Sequence, residues 1–412
     1  METHLADFIR DTPAGQEAEA ILRKCVHCGF CTATCPTYQL LGDELDGPRG
    51  RIYLIKQVLE GKPATGKTRL HLDRCLTCRS CETTCPSGVK YSHLLDIGRR
   101  VVEEQLQRGN SERLARWLLK EVVPRPALFG PVVKLGQMLR PLLPAGLADK
   151  LPPEAAGSGR GWPPAERHSR RMLLLAGCAQ PALAPNINAA TARVFDRLGI
   201  SLFEAGGAGC CGAVRFHLSD QEAARDDMRR NIDAWWPHVE AGAEAIVVTA
   251  SGCGVQVRDY GHALAGDPAY AGKAARISVL CQDPSEILVA EQAGLQPLLA
   301  EARQARGKLA FHSPCTLQHG LKIRGVIENF LAEAGYQLTP VADSHLCCGS
   351  AGTYSVLQPR LSKCLRDNKL AALNAGAPAA IATANIGCLS HLQAGSALPV
   401  RHWIELIDEV LP

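Results

Sequence analysis

Two twelve-residue runs constrain this chain more than any other feature: "CVHCGFCTATCP", Cys25 to Pro36, and "CLTCRSCETTCP", Cys75 to Pro86. Both follow C-x2-C-x2-C-x3-C-P, and together they hold eight of the chain's 18 cysteines. The N-terminus "METHLADFIRDTPAGQ" carries acidic residues and no long apolar run, so it does not read as a signal peptide. No stretch approaches the roughly 18 apolar residues of a membrane span. The expectation is a cytoplasmic chain, where disulfides are disfavoured and cysteine clusters bind metal or do redox work.

Three thiolates at this spacing wrap three corners of an iron–sulfur cube, and the local loop cannot reach the fourth. The run is that of two-cluster bacterial ferredoxins, in which the fourth cysteine serves the other cluster. Pro36 and Pro86 turn the chain away from each triplet. The expected ligand sets for two [4Fe–4S] clusters are therefore Cys25, Cys28, Cys31 and Cys85, and Cys75, Cys78, Cys81 and Cys35. A tetrahedral zinc site needs four ligands, usually as two C-x2-C pairs, and fits these runs far less well. "PRGRIYLIKQVLEG" between the runs reads as a helix ending at Gly61. Lys24, Arg74 and Arg79 adjoin the cluster loops; their charge either raises a cluster's potential or is a solvated surface charge. "GKPATGKT", residues 61–68, matches the phosphate-loop pattern letter for letter, yet it follows a helix instead of a strand and is rejected. "GAGCCG", residues 207–212, is likewise a glycine-rich turn and no dinucleotide fingerprint.

The other ten cysteines are spread through a duplicated region. Cys178 and Cys315, Cys210 and Cys347, and Cys211 and Cys348 are each 137 residues apart; Cys253 and Cys388 are 135 apart. Apolar runs repeat in step ("RMLLLAG" and "KLAFH", "ISLFEA" and "YQLTPV", "AEAIVVTA" and "PAAIATA") and alternate with helical patterns ended by Gly199 or Gly335. Ser219 and Glu222 form a capping-box pattern. Each unit thus reads β-α-β-α-β with a parallel sheet. Its cysteines fall beyond the carboxyl ends of strands, where such sheets bind ligands. Cys281 and Cys364 lie outside the repeat and read as buried thiols. The expected architecture is mixed α+β: a helical two-cluster ferredoxin-like region over 1–120, a Pro/Gly-rich connector over 121–168, and α/β units over 169–300 and 301–412. Apolar residues make up 46%, and Lys+Arg of 45 against Asp+Glu of 41 leaves a formal +4, no argument for nucleic-acid binding.

The duplicated Cys…Cys-Cys-Gly…Cys pattern resembles the CCG cysteine-rich domain of heterodisulfide reductases and of iron–sulfur subunits of membrane-linked dehydrogenases. Nearly the whole chain resembles the iron–sulfur subunits of bacterial glycolate oxidases, through "DELDGPRGRIYLIKQVLEG", "GCAQPALAPNINAATARV", "GCCGAV", "NIDAWWP", "HSPCTLQHG", "HLCCGSAGTYSVLQP" and "NIGCLSHLQ". The resemblance implies flavoprotein partner subunits, glycolate oxidation on a partner's flavin, and electron passage through this chain towards a membrane quinone from the cytoplasmic face. A related lactate (2-hydroxy-acid) dehydrogenase subunit and a thiol/disulfide reductase using the CCG units are the alternatives. One departure matters. The heterodisulfide reductase type ends each unit in C-x2-C, whereas here Gln256 follows Cys253 and His391 follows Cys388. Each unit is one cysteine short. Three readings stay open for Cys315, Cys347, Cys348 and Cys388, and less readily for Cys178, Cys210, Cys211 and Cys253. They are a further cluster completed by His391 or another group, a redox-active thiol site, and a structural remnant. His312, His319 and His345 also lie near the second site, and His217 near the first. Segment 121–147, apolar and broken by prolines, is read either as a membrane- or partner-facing surface or as a plain connector.

Overall fold

The computed structural model describes residues 1–140 and 161–412. The N-terminal region is helical, built on Pro13–Lys24, Pro48–Leu59, Gly66–Asp73 and Tyr91–Gln105. Thr12 caps the first of these by accepting from the Gly15 amide at 3.0 Å, ahead of a proline that needs no partner at the first turn. Leu22, Ile55, Leu59, Leu94 and Leu95 close the core between these helices. The helix Pro48–Leu59 ends just before Gly61, as the sequence predicts. Thr65 then caps Gly66–Asp73, so the phosphate-loop look-alike is a helix–loop–helix joint.

The second body is two four-stranded parallel sheets of identical order. In the first, β1 (Arg170–Leu174) lies between β2 (Ile200–Phe203) and β3 (Ile246–Val247), with β4 (Cys281–Gln282) outside β3. In the second, β5 (Arg306–His312) lies between β6 (Tyr336–Thr339) and β7 (Ala380–Thr383), with β8 (Val400–His402) outside β7. Register pairs Leu173 with Ile246 and His312 with Thr383. The six strands read from the sequence are all present, and β4 and β8 are additional. At two and three residues they are too short to show a period.

One apolar core runs through both units. Met172, Phe195 and Leu202 of the first share it with Phe311, Phe330 and Trp403 of the second. The seam is reinforced by Asp408, 2% exposed, which accepts from Arg193 at 2.7 Å and Arg197 at 3.1 Å.

Three local expectations differ. Ser219 does not cap the helix Gln221–Glu240: its backbone is left-handed (φ 64°), Asp220 takes the cap position, and Glu222 is drawn to Arg225 and Arg229. Cys364 is exposed, whereas Cys281 is buried. Within the segment read as connector, Pro126–Met138 is a helix with a proline in its first turn. Residues 141–160 of that segment, and with them part of the surface read at 121–147, lie outside the described residues.

Candidate iron–sulfur sites

The two cysteine runs fold alike. His27 and Thr77 occupy equivalent positions, as do Gly29 and Arg79, and all four have left-handed backbones. Such residues curl the loop so that successive thiols face a common centre. Glycine does this freely; Arg79 (φ 59°) carries a strain that its tertiary contacts must offset. Its guanidinium donates to Asp259 of the first cysteine-rich unit at 2.5 Å.

Two adjoining cavities result. Cys25, Cys28, Cys31 and Cys85 line one, together with Pro48 and Tyr91. Cys35, Cys75, Cys78 and Cys81 line the other, together with Arg51 and Tyr91. Cys81 reaches both. Each cavity thus gathers the triplet of one run and the fourth cysteine of the other. Cys28 is exposed, and Cys25, Cys35, Cys75 and Cys81 are buried. Burial, with the neighbouring Cys25, pushes the Cys31 thiol up to about 11. Burial also drives Cys78 and Cys81 well above the usual thiol range, assisted at Cys78 by Cys315 and Cys35. Crowded buried thiols resist ionising unless a cation compensates them, so the donor set fits iron held by thiolates.

A polar network under the second cavity escaped the sequence reading. Arg51, 1% exposed, donates to the His71 carbonyl at 2.7 Å and the Thr37 hydroxyl at 3.1 Å, and its Nη1 stands 4.0 Å from Cys35 Sγ. Burial works against this cation, but Cys75, Tyr91, Cys35 and Asp46 outweigh it and hold it charged. Asp46 also binds Arg74 at 2.8 Å, which fixes one of the three cations flagged from the sequence. "DELDGPRGR" contains Asp46 and Arg51, but His71 and Arg74, which complete the network, lie 20 and 28 residues downstream of their partners, where no local pattern points.

In each cysteine-rich unit the four repeat cysteines gather beyond the strand ends. In the first, Cys210 raises the Cys178 thiol, and Cys210 and Cys253 raise Cys211. In the second unit Cys315 lies 3.7 Å from Cys347, and Cys348 meets Cys388. The two sites are placed differently. Cys315 and Cys347 pack in one apolar cluster with Leu76 and Cys78 of the second run. His319 ties the same junction, its Nδ1 3.1 Å from the Thr83 hydroxyl and its Nε2 2.9 Å from the His345 carbonyl. His391, the residue in the missing cysteine's position, bonds instead to Ser362, at 3.2 Å to Oγ and 3.4 Å to the carbonyl. His217 reaches Asp96 of the N-terminal region at 3.4 Å. The second site is therefore the one set against the clusters.

A helical two-run cysteine region seated on a duplicated parallel α/β body defines an iron–sulfur electron-transfer protein. Residues 21–89 match the family described as 4Fe-4S dicluster domain, and residues 172–258 and 309–393 match the Cysteine-rich domain. The chain is 57% identical over 411 residues to the glycolate oxidase iron-sulfur subunit of Escherichia coli K12, covering 100% of this chain and 99% of that protein. It is 30% identical to the probable glycolate oxidase iron-sulfur subunit of Bacillus subtilis 168, covering 92% and 89%. Lactate utilization protein A of Bacillus licheniformis is 24% identical, over 58% of this chain and 99% of its own length. The chain belongs to the family of glycolate oxidase iron–sulfur subunits.

Proposed function

We propose that this chain relays electrons from a flavoprotein partner that oxidises glycolate to glyoxylate, through two [4Fe–4S] clusters, towards a membrane quinone. Cys25, Cys28, Cys31 and Cys85 hold one cluster; Cys75, Cys78, Cys81 and Cys35 hold the other. The observation that carries this is the crossed gathering of the eight cysteines around two cavities that share Cys81. Adjoining clusters permit transfer between them, and Arg51 supplies a fixed positive charge that favours the reduced state of the second. In this reading the flavin and the hydroxy acid bind on a partner, and this chain's residues hold, insulate and tune the clusters.

No helix among the described residues is long and apolar enough to cross a membrane. Leu114, Trp117 and Leu118, followed by Leu128, Val132, Leu135 and Met138, are exposed apolar residues on the consecutive helices Asn110–Val122 and Pro126–Met138. This surface supports a peripheral seat on the cytoplasmic face of the membrane. A thiol/disulfide reductase is disfavoured, because Cys347 is 3% and Cys348 1% exposed, out of reach of a disulfide substrate. A lactate-oxidising complex rests on the shorter Lactate utilization relatives, at 24% identity or thereabouts.

The test is Cys28→Ser and Cys78→Ser in the assembled complex. Glycolate should still reduce the flavin while reduction of quinone is lost. Loss of flavin reduction in an intact complex would refute the relay role.

A further inference from the structure

Three side chains from three separate helices converge at the seam between the N-terminal region and the first cysteine-rich unit. Glu17 comes from Pro13–Lys24, His93 from Tyr91–Gln105 and His262 from Tyr260–Ala263. Their donor atoms all lie within 4.8 Å of one another. One carboxylate oxygen, Glu17 Oε1, stands 2.9 Å from His93 Nδ1 and 2.8 Å from His262 Nε2. The two imidazoles stack with ring centroids 4.0 Å apart, 22° from parallel. Glu17 and His93 are 76 residues apart and His262 is further still, so no motif announces the group.

The backbone beneath each donor is fixed. Ala18, Ile21, Leu94 and Leu95 are buried beside Glu17 and His93, and Tyr260 and Leu264 are buried on either side of His262. The donors themselves reach a cleft of about 1200 Å³ between the two regions, with Asp96, Arg100 and Asp259 among its other walls. The His93 side chain is 14% exposed, Glu17 31% and His262 46%. Anchored donors at the mouth of a wet cleft give an ion both an entry path and a fixed seat.

We infer that Glu17, His93 and His262 together ligate a zinc ion that clamps the N-terminal region to the first cysteine-rich unit. Two imidazoles and one carboxylate suit such a borderline ion. Calcium and magnesium take oxygen shells, and copper(I) favours sulfur. Around a tetrahedral zinc with bonds of about 2.0–2.1 Å, donor atoms stand roughly 3.3 Å apart. The spacings of 2.8 and 2.9 Å need to open by only about half an ångström, within reach of a rotation of the exposed His262 ring. The fourth position is left to water from the cleft. Binding displaces the proton that each imidazole shares with Glu17, to solvent or to the other ring nitrogen. Glu17 sets one negative charge against the ion's two; Asp259 adds to it at His262 and Lys90 opposes it. Zinc has no redox change, so the ion carries no electron of the relay. Its effect is to brace the seam. Asp259, on the same turn of chain as His262, is the partner of Arg79, so the clamp also steadies the loop of the second cysteine run.

The experiment uses the full chain, purified anaerobically with its clusters loaded, treated with EDTA and then dialysed against zinc chloride. Wild type should take up one zinc atom per chain without losing iron. Its zinc K-edge absorption spectrum should show nitrogen and oxygen at about 2.0–2.1 Å and no sulfur shell at about 2.3 Å. The thermal midpoint should rise with zinc. His262→Ala should weaken zinc binding at least about tenfold, and its midpoint should no longer respond to zinc. Glu17→Gln keeps the shape of the side chain and should behave likewise, which separates a lost ligand from a misfolded chain. No zinc uptake by wild type, uptake only at the expense of iron, a sulfur shell, or wild-type affinity in either variant would overturn the inference.

Discussion

Arg51→Met tests how the protein sets the potential of the cluster at Cys35. In wild type the guanidinium is 1% exposed, with Nη1 4.0 Å from Cys35 Sγ and Nη2 3.3 Å from Asp46. Two unit charges 4 Å apart interact by about 4 kcal/mol at an effective dielectric of 20. The electron taken up by a cube is shared over the whole cluster, and Asp46 cancels part of the guanidinium's field. Retaining about a quarter leaves roughly 1 kcal/mol, or about 40 mV for one electron. The variant's cluster should therefore titrate about 40 mV lower. Stability falls as well. Breaking a buried pair costs about 3–5 kcal/mol. Asp46 keeps Arg74 at 2.8 Å and His71 at 3.1 Å, so the loss should lie at or just below the lower end. The assay is an EPR-monitored redox titration of the anaerobic chain, with Arg51→Lys as a charge-keeping control. A folded, fully loaded Arg51→Met protein whose potential is unchanged or higher would refute the reasoning.

Glu17 accepts from His93 at 2.9 Å and from His262 of the first unit at 2.8 Å, and the two imidazoles stack. The hydrogen bond to Glu17 raises His262, so its contribution is complete below the ordinary histidine value of about 6.5 and is lost as pH rises through the elevated one. Glu17 is lowered by His262 and then His93, so its contribution is present above its ordinary value and lost only in strong acid. The thermal midpoint should thus decline from pH 6 to pH 8, and Glu17→Gln should flatten that decline; an equal slope in both proteins speaks against the latch. Gly349 has φ +88°, and a Cβ there would stand 2.6 Å from the Ser362 carbonyl oxygen and 2.9 Å from Leu365 Cβ. Gly349→Ala should cost about 1–3 kcal/mol, measured by chemical denaturation; wild-type stability would mean the Cys347–Cys348 loop is looser than described. Trp117→Glu with Leu135→Glu should weaken co-sedimentation with anionic lipid vesicles without changing cluster content, and unchanged binding would move the membrane seat elsewhere.

The gathering of eight cysteines around two cavities was legible because their spacings of two and three residues set which thiols face a common centre. The duplication was legible because its 137-residue step keeps strands and cysteines in phase. What escaped depends on neighbours remote in sequence. Arg51, Asp46 and His71 form one network only after three helices pack. The histidine nearest in pattern to the missing cysteine, His391, turns to Ser362, while His312 faces the sulfurs, a choice made by side-chain direction and burial. Ser219 failed as a cap because its backbone turns left-handed and the helix begins at Gln221, which puts Asp220 in the cap position.

The common core of the two cysteine-rich units has a consequence for how their chemistry can diverge. Leu309, Phe311 and Trp403 pack in the same core as Met172, Phe195 and Leu202, so a change inside either unit is felt by both. The two copies still differ at one buried position: Leu175 stands in the first where His312 stands in the second. A fused pair of this kind holds its two halves to one shape while leaving each free to keep or discard its reactivity.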